Sequence, residues 1–197
     1  MKILLTNFFL KKKVKGRGLY NLNYGHKTEP EAREKYEEKY EVKVEQVVLV
    51  VNKNQPWLCS SPDEIIKLNG KEVMLLEIKY PSSCAKKPIV EEDRINVGYL
   101  KWDQNGNIFL KKSDRYYTQI QFSMYVLNCK WCHFLLYFPA SELICLLIKR
   151  DDLFLKPVIK KLELFYFNYY LPEYIECLKN VSATTKFKFP FLSFFYP

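Results

Sequence analysis

Residues 75–81, Leu-Leu-Glu-Ile-Lys-Tyr-Pro, predict a buried β-strand that carries two charged side chains on one face. Alternate side chains of a strand point to the same side, so Glu77 and Lys79 project together. Leu76 and Ile78 then point to the opposite, apolar side. A carboxylate and an ammonium are costly to bury at the end of an apolar strand unless they pair or hold a metal ion. The two charged residues are therefore candidates for a functional site.

A second strand precedes this one at Glu64–Leu68, and Asn69-Gly70 lies between the two apolar runs. Asn-Gly favours a tight hairpin because both residues tolerate a positive φ. Asp63 would begin the first strand and Glu77 would end its antiparallel neighbour. The hairpin therefore predicts that the two carboxylates lie at the same end of a sheet.

Helical and strand patterns surround this hairpin. The sequence predicts helices over residues 28–40, 114–127 and 152–179, the last capped by Asp151 and bent at Pro157 or Pro172. It predicts strands over residues 131–138 and 143–149 and a buried strand over residues 47–51. The segment from Pro81 to Lys112 is expected to be irregular, with a helical turn near residues 89–94 and a small turn at residues 104–107. In the helix over 114–127 the core stripe is formed by Tyr117, Ile120, Met124 and Leu127.

The composition fits one domain of ordinary size, with 197 residues, 23.6 kDa and 48% hydrophobic residues. A formal charge of +9 favours a polyanionic partner, although the same excess is common on ordinary solvated surfaces. Six irregularly spaced cysteines and no recognisable secretion signal favour reduced thiols in an intracellular protein. No apolar stretch is long enough to suggest a membrane span.

Four sequence blocks follow one another in an order typical of one nuclease family. They are residues 25–33 (GHKTEPEAR), 61–64 (SPDE), 77–81 (EIKYP) and 116–124 (YYTQIQFSM). In this order the chain resembles the phage lambda exonuclease and YqaJ-like viral recombinase family of the PD-(D/E)xK nuclease superfamily. The resemblance implies an α/β fold with a restriction-endonuclease-like core, in which helices flank a central mixed β-sheet.

The resemblance also implies a set of catalytic residues. Asp63 and Glu77 would be metal ligands together with the Ile78 carbonyl, and Lys79 would orient or deprotonate the attacking water. Mg²⁺ would be the cofactor, with Mn²⁺ as a substitute, because hydrolysis of a phosphodiester needs an activated water and neutralised phosphate charge. Two further residues are assigned by position in the family blocks: Glu29 as an additional acidic ligand near the metal, and Gln119 as a support of the active site.

Candidate DNA contacts come from two parts of the chain. Tyr116 and Gln121 lie beside Gln119 in the fourth block. The basic stretch over residues 11–18 is expected to be a loop or arm whose Lys11, Lys12, Lys13 and Arg17 contact DNA phosphates, although a solvated tail explains it equally well. The predicted organisation is a basic arm over residues 1–23, a nuclease domain over 24–180 and an aromatic tail over 181–197.

The resemblance implies a metal-dependent deoxyribonuclease, most specifically a 5′-3′ exonuclease that acts on ends of duplex DNA in recombination or repair. Related exonucleases form trimers, so a homo-oligomer is an expected assembly, and no membrane partner is expected. The implied location is intracellular, in nucleus or cytoplasm, with a viral or mobile-element origin. Two alternatives share the same residues: a structure-specific endonuclease, and a DNA-binding module that keeps the nuclease fold without catalysis. The presence of Asp63, Glu77 and Lys79 favours an enzyme.

One motif suggests a different kind of site, and one residue departs from the family pattern. Cys129-Lys130-Trp131-Cys132-His133 matches the pattern for haem attachment, but it lies at a helix-to-strand junction, and we interpret its cysteines as core residues. Glu64 stands where the family commonly has glycine. Its carboxylate would either alter the metal geometry or face solvent.

Overall fold

The computed structural model describes residues 17–68, 72–81, 84, 88–138 and 143–182, of which residues 17–27, 68, 72 and 180–182 are described by their backbone alone. The chain divides into two compact units, residues 1–150 and residues 151–197. No sequence pattern indicated that division, which falls directly before Asp151. The predicted domain limits at residues 23/24 and 180/181 stay predictions.

In its described residues the first unit contains two α-helices and a series of strands. Its elements are α1 (Arg17–Tyr40), β1 (Val44–Gln46), β2 (Val50–Val51), β3 (Cys59–Ser60), β4 (Glu64–Leu68), β5 (Glu72–Lys79), β6 (Val90–Glu91), β7 (Arg94–Ile95), β8 (Leu100–Trp102), β9 (Ile108–Leu110), α2 (Arg115–Leu127), β10 (Trp131–Leu136) and β11 (Ile144–Lys149).

A five-stranded sheet in the order β1-β4-β5-β10-β11 organises this unit. The β5–β10 pair is parallel and the other neighbours are antiparallel, so the sheet is mixed. Ala32 and Tyr36 of α1 pack in one buried cluster with Leu76, Ile78 and Leu135 of the sheet. Glu77 alternates with Leu76 and Ile78 and is hydrogen-bonded by Gln119 of α2, which places α2 on the other face. The predicted fold, a central mixed sheet flanked by helices, is confirmed.

The hairpin that carries the candidate site forms as predicted. Glu64 lies opposite Leu76 and Leu68 lies opposite Glu72, while the turn at residues 69–71 is outside the described residues. Leu75 and Leu76 are both 0% exposed, and burial of each leucine side chain contributes about 1.5–3 kcal/mol to the free energy of unfolding. This burial on both faces fixes the strand register and therefore the position of every charged residue at its end.

Three local predictions in this unit were wrong. Helix α1 begins at Arg17, where a loop or arm was predicted through Gly18, because a glycine lowers helix propensity without ending an established helix. The valine-rich run over residues 47–51 is not a buried strand, since Val48 is 80% exposed and only Val50–Val51 pairs, with β3. The helical turn predicted near residues 89–94 is the hairpin β6–β7, whose turn places Glu92 at a φ of 50°.

The second unit is helical. It contains α3 (Asp152–Phe165), a π-helical segment (Tyr166–Tyr170) and α4 (Leu171–Ser182). The Asp151 side chain accepts a hydrogen bond from the Phe154 N–H (3.0 Å), which confirms the predicted cap. The predicted bend at a proline is replaced by the π-helical segment: Pro157 lies inside α3, and Pro172 lies in the first turn of α4. In the part of the chain that the structure describes, no helix has the length and apolar composition needed to cross a membrane.

Candidate active site

Strand β5 ends with Glu77 and Lys79 on the α2 face of the sheet. The Glu77 side chain is 0% exposed, and its Oε1 accepts hydrogen bonds from Lys79 Nζ and from Gln119 Nε2 (2.6 Å for the latter). Lys79 is 19% exposed, so its ammonium group lies between the buried carboxylate and solvent. Strand alternation thus places this predicted pair together at the end of the sheet.

Asp63 lies at the same end, immediately before β4. Its Oδ2 accepts a hydrogen bond from the Ile78 N–H (2.9 Å) and lies 3.7 Å from Lys79 Nζ. The ladder between β4 and β5 stops at the pair Glu64–Leu76, so the Asp63 side chain occupies the position that the next strand residue would otherwise take. The antiparallel hairpin brings the two predicted carboxylates to one ammonium group.

The Ile78 backbone carbonyl faces the same edge. In an extended strand the N–H and C=O of one residue point to the same side, as they do when residues exchange paired ladder bonds. Because the Ile78 N–H bonds to Asp63, the Ile78 carbonyl points toward the Asp63 side of β5. Backbone and side-chain oxygens therefore converge there.

Helix α2 brings Gln119 to the site. The Asp114 side chain caps the helix by accepting from the Tyr116 N–H (2.9 Å), and Asn128 ends it with a left-handed φ of 53°. Ile120 and Met124 are 0% exposed and form the packed stripe, whereas Gln119 lies on an exposed position and reaches Glu77. The side-chain amide is thus engaged with the site rather than only solvated.

Glu29 approaches the site from α1. Its side chain is partly buried, and its negative charge contributes to raising the pKa of Glu77 and of Glu64. Burial is the larger cause of both pKa shifts, and the Glu29 charge adds to it. It is the only predicted site residue carried by α1 whose side chain is described.

The electrostatics of the site are those of a buried, charge-dense cluster. Burial raises the pKa of Glu77 to about 7, with the Lys79 ammonium opposing that rise and the Asp63 and Glu29 charges adding to it. Burial acts to lower the pKa of Lys79, but the Glu77 and Asp63 carboxylates outweigh it and the net shift is upward. Two carboxyl groups thus lie around one ammonium group, which is an arrangement that favours a further cation.

A divalent cation fits these groups. Glu77 Oε2 is buried and has no hydrogen-bond partner among the described residues, which leaves a costly lone carboxylate oxygen at the site. Mg²⁺ retains several waters and needs only one or two protein carboxylates, which Asp63 and Glu77 supply, with the Ile78 carbonyl beside them. Among the residues described here, no group of three or more His, Cys, Asp or Glu side chains is already arranged to hold a metal ion. The donor set suits a partly hydrated ion rather than a closed structural site.

The predicted DNA contacts separate into different groups. The Tyr116 ring lies 5.4 Å from Lys79 Nζ and 5.0 Å from the Arg115 guanidinium carbon, so it borders the site. Gln121 is 0% exposed and donates to the Lys149 carbonyl (2.9 Å), and this burial argues against the contact with DNA predicted for it. Arg17 begins α1 with only its backbone described, and Lys11, Lys12 and Lys13 lie outside the described residues.

Two positively charged residues near the site were missed by sequence analysis. Arg115 is exposed, donates to the Tyr116 hydroxyl (3.2 Å) and lies one helical turn before Gln119, on the same side of α2. Arg33 of α1 forms an ion pair through Nε with Glu64 Oε1. Arg33 lies in the block over residues 25–33, and its place in that block was the sequence signal that could have marked it as a residue near the site.

The structure contradicts one of the two outcomes expected for Glu64, exposure to solvent, while an altered metal geometry stays a prediction. The Glu64 side chain is 0% exposed and lies on the α1 face of the sheet, opposite Leu76, so it neither faces solvent nor joins Glu77 on the other face. Burial raises the pKa of Glu64, and the hydrogen bond and charge of Arg33 oppose that rise. Where the family commonly has glycine, this chain therefore has a glutamate in a buried ion pair.

The stretch over residues 129–133 is not a cofactor site. Cys132 and His133 are neighbours in β10, so their side chains point to opposite faces of the sheet. Cys129 and Cys132 are 4% and 0% exposed, which confirms that they are core residues. His133 Nδ1 instead lies 2.5 Å from the Tyr36 hydroxyl on the α1 face.

Comparison with known proteins decides the family. A family model, the YqaJ-like viral recombinase domain, matches residues 5–130, which is more than half of the chain. The chain belongs to the YqaJ-like viral recombinase family. No match is found among curated proteins.

Solved structures share the fold of this YqaJ-like chain. An alkaline exonuclease (LHK-Exo) from Laribacter hongkongensis is similar with a TM-score of 0.58 and 23% identity, over 83% of this chain and 74% of that one. The structure of LHK-Exo in complex with dAMP is similar with a TM-score of 0.57 and 23% identity, over 87% and 76% of the two chains. The YqaJ-like family and this shared nuclease fold support a nuclease.

Proposed function

We propose that this YqaJ-like protein is a metal-dependent deoxyribonuclease, most specifically a 5′-3′ exonuclease that acts on duplex DNA in recombination or repair. The convergence of Asp63, Glu77 and Lys79 at one end of the sheet carries this proposal. The buried Glu77 oxygen without a hydrogen-bond partner among the described residues adds to it, because a cation would satisfy that oxygen. The complex of the structurally similar LHK-Exo with dAMP supports the exonuclease form, since a nucleoside monophosphate is what an exonuclease releases.

Each residue has a distinct part in the proposed reaction. Asp63, Glu77 and the Ile78 carbonyl would hold Mg²⁺ or Mn²⁺, with Glu29 as a further acidic group nearby. Bound there, the ion supplies Lewis-acid activation of water and charge neutralisation at the phosphate. Lys79 would orient and polarise the attacking water, while Gln119 keeps Glu77 in place through its hydrogen bond.

DNA would approach from the α2 side of the sheet. Arg115 is exposed there, and the Tyr116 ring lies close to both Arg115 and Lys79. A guanidinium group bonds well to phosphate oxygens, so Arg115 would hold a phosphate next to the one that is hydrolysed. The family also suggests a homo-oligomer, since related exonucleases form trimers. Light scattering of the purified protein measures its oligomeric state.

Incubation with four DNA forms tests the proposal. The substrates are linear duplex labelled at either 5′ or 3′ ends, nicked circles, covalently closed circles and single strands, each with Mg²⁺, Mn²⁺ or EDTA. We expect mononucleotides from the 5′ ends of linear duplex and no products in EDTA. Cleavage of closed circles would instead indicate a structure-specific endonuclease. DNA binding without products under every metal condition would indicate a non-catalytic module.

A further inference from the structure

An ion pair on the α1 face of the sheet connects Arg33 of α1 with Glu64 of β4. Arg33 Nε pairs with Glu64 Oε1, and the side chains are 22% and 0% exposed. The second oxygen, Glu64 Oε2, is buried and has no hydrogen-bond partner among the described residues. A fully buried carboxylate thus relies on one guanidinium group.

Stability alone does not account for this pair. Desolvation of two charges offsets most of their attraction, and apolar side chains of similar volume often replace a buried ion pair without loss of stability. The unpartnered oxygen makes the balance less favourable still. What an ion pair provides instead is a defined geometry between the elements that it joins.

The pair lies next to two acidic residues of the candidate site. Arg33 follows Glu29 by one helical turn of α1, so both residues lie on the same side of the helix. Glu64 follows Asp63 directly in the chain. The Tyr80 side chain packs against the buried cluster that contains Ala32 and Tyr36 of α1, and its hydroxyl is buried without a hydrogen-bond partner among the described residues.

We propose that the Arg33–Glu64 pair is a positioning element that holds the Glu29 carboxylate of α1 against Asp63, so that binding of a divalent cation at the site depends on it. This inference rests on the proposed function, because it assumes that Asp63 and Glu77 bind the cation. Arg33 and Glu64 touch neither the cation nor DNA and act through the placement of Glu29.

Two single substitutions separate positioning from simple electrostatics. Removal of a negative charge by Glu64→Gln would weaken cation binding through charge alone, and removal of a positive charge by Arg33→Ala would strengthen it. Positioning predicts the same direction for both, because each breaks the pair. We expect Mn²⁺ affinity, measured by calorimetry, to fall about tenfold in each variant, the lower end of the range for residues that orient metal ligands.

An exposed ion pair on the same strand provides the matched control. Lys67 of β4 pairs with Glu45 of β1 (2.8 Å), with side chains 50% and 52% exposed. Glu45→Gln removes one negative charge from a β4 ion pair, as Glu64→Gln does, but away from Glu29. We expect its Mn²⁺ affinity to equal that of the unmodified protein. Circular dichroism and thermal melting establish that each variant is folded, and Glu64→Gln keeps the test available if Arg33→Ala does not fold.

The double variant Glu29→Gln, Glu64→Gln tests the route of the effect. If the pair acts through Glu29, the second substitution changes Mn²⁺ affinity little once Glu29 has lost its charge. Opposite shifts for Arg33→Ala and Glu64→Gln, unchanged affinity in both, or losses that multiply in the double variant would each overturn the inference.

The same measurements keep the two proposals distinct. Hydrolysis by the unmodified protein with unchanged Mn²⁺ affinity in the variants rejects positioning and leaves the nuclease proposal intact. Mn²⁺ binding without hydrolysis of any DNA form rejects the nuclease proposal, while the effect of the pair on affinity is still measured. A protein that binds no Mn²⁺ overturns both.

Discussion

Two glutamates of one hairpin are buried to the same extent on opposite faces of the sheet. Glu77 and Glu64 are both 0% exposed, and each has one oxygen in an ion pair and one oxygen without a hydrogen-bond partner among the described residues. Their surroundings differ. Glu77 contacts Lys79, which also lies near Asp63, and Gln119, whereas Glu64 pairs with Arg33.

Burial by itself therefore does not distinguish a proposed metal ligand from a carboxylate in a structural ion pair. On the α2 face two carboxylates, those of Asp63 and Glu77, share the Lys79 ammonium group, and the Gln119 amide also bonds to Glu77. On the α1 face one guanidinium group compensates one carboxylate. The contrast predicts that equal substitutions on the two faces have unequal consequences for hydrolysis.

The largest effect is expected from Glu77→Gln. This change keeps the size of the side chain but removes a proposed metal ligand, so hydrolysis should fall by more than about 100-fold, beyond the effect typical of residues outside the ligand shell. Glu64→Gln should reduce it about tenfold at low Mg²⁺ and less at saturating Mg²⁺. Rates measured across Mg²⁺ concentrations compare the two. Equal losses in both variants would remove the distinction between the faces.

Lys79→Ala and Arg33→Ala should have similar stability costs but different catalytic ones. Each leaves a buried glutamate without its cation, which costs about 3–5 kcal/mol in the free energy of unfolding. Hydrolysis at saturating Mg²⁺ should fall about 100-fold or more in Lys79→Ala, as expected for loss of a group that acts on the attacking water. Urea denaturation and steady-state rates provide the two readouts. Full activity in folded Lys79→Ala would exclude its catalytic role.

A smaller effect is expected from Arg115→Ala, which tests whether DNA lies on the α2 face. Loss of one phosphate contact should weaken DNA binding by about 1–2 kcal/mol and reduce the slope of log affinity against log salt by about one. Lys39→Ala is the matched control, because Lys39 is also an exposed cation above a tyrosine ring, that of Tyr40 on α1 (5.9 Å). Fluorescence anisotropy at several salt concentrations measures both slopes. A larger change for Lys39→Ala would place DNA on the other face.

Glu45→Gln should have the smallest effect. The Lys67–Glu45 pair is half exposed, and pairs of this kind contribute about 0.2–1 kcal/mol to the free energy of unfolding. Thermal melting should show a shift of a few degrees at most, and hydrolysis should not change. A loss comparable to that of Arg33→Ala would mean that exposure does not separate the two β4 ion pairs.

The elements around the site were predictable because their local signals agree. Asn69-Gly70 between two apolar runs indicated the hairpin, the apolar stripe indicated α2, and alternation placed Glu77 beside Lys79. In these segments turn chemistry and periodicity favour one structure. The Asp63–Glu77 arrangement followed from the hairpin alone.

Other features depend on interactions that local patterns do not contain. The valines over residues 47–51 have strong β propensity, but propensity does not specify whether a strand enters the central sheet. The turn at Glu92 requires a positive φ at a residue type that rarely signals one. The Arg33–Glu64 pair joins residues far apart in sequence, so neither residue alone indicated a buried partner.

Diffraction from crystals grown with Mn²⁺ tests the central claim most directly, because the anomalous signal locates the ion independently of activity. The account predicts an Mn²⁺ peak about 2.1 Å from carboxylate oxygens of both Asp63 and Glu77, with the Ile78 carbonyl and water completing the coordination. A well-occupied peak elsewhere, or none beside these two residues at saturating Mn²⁺, would contradict it.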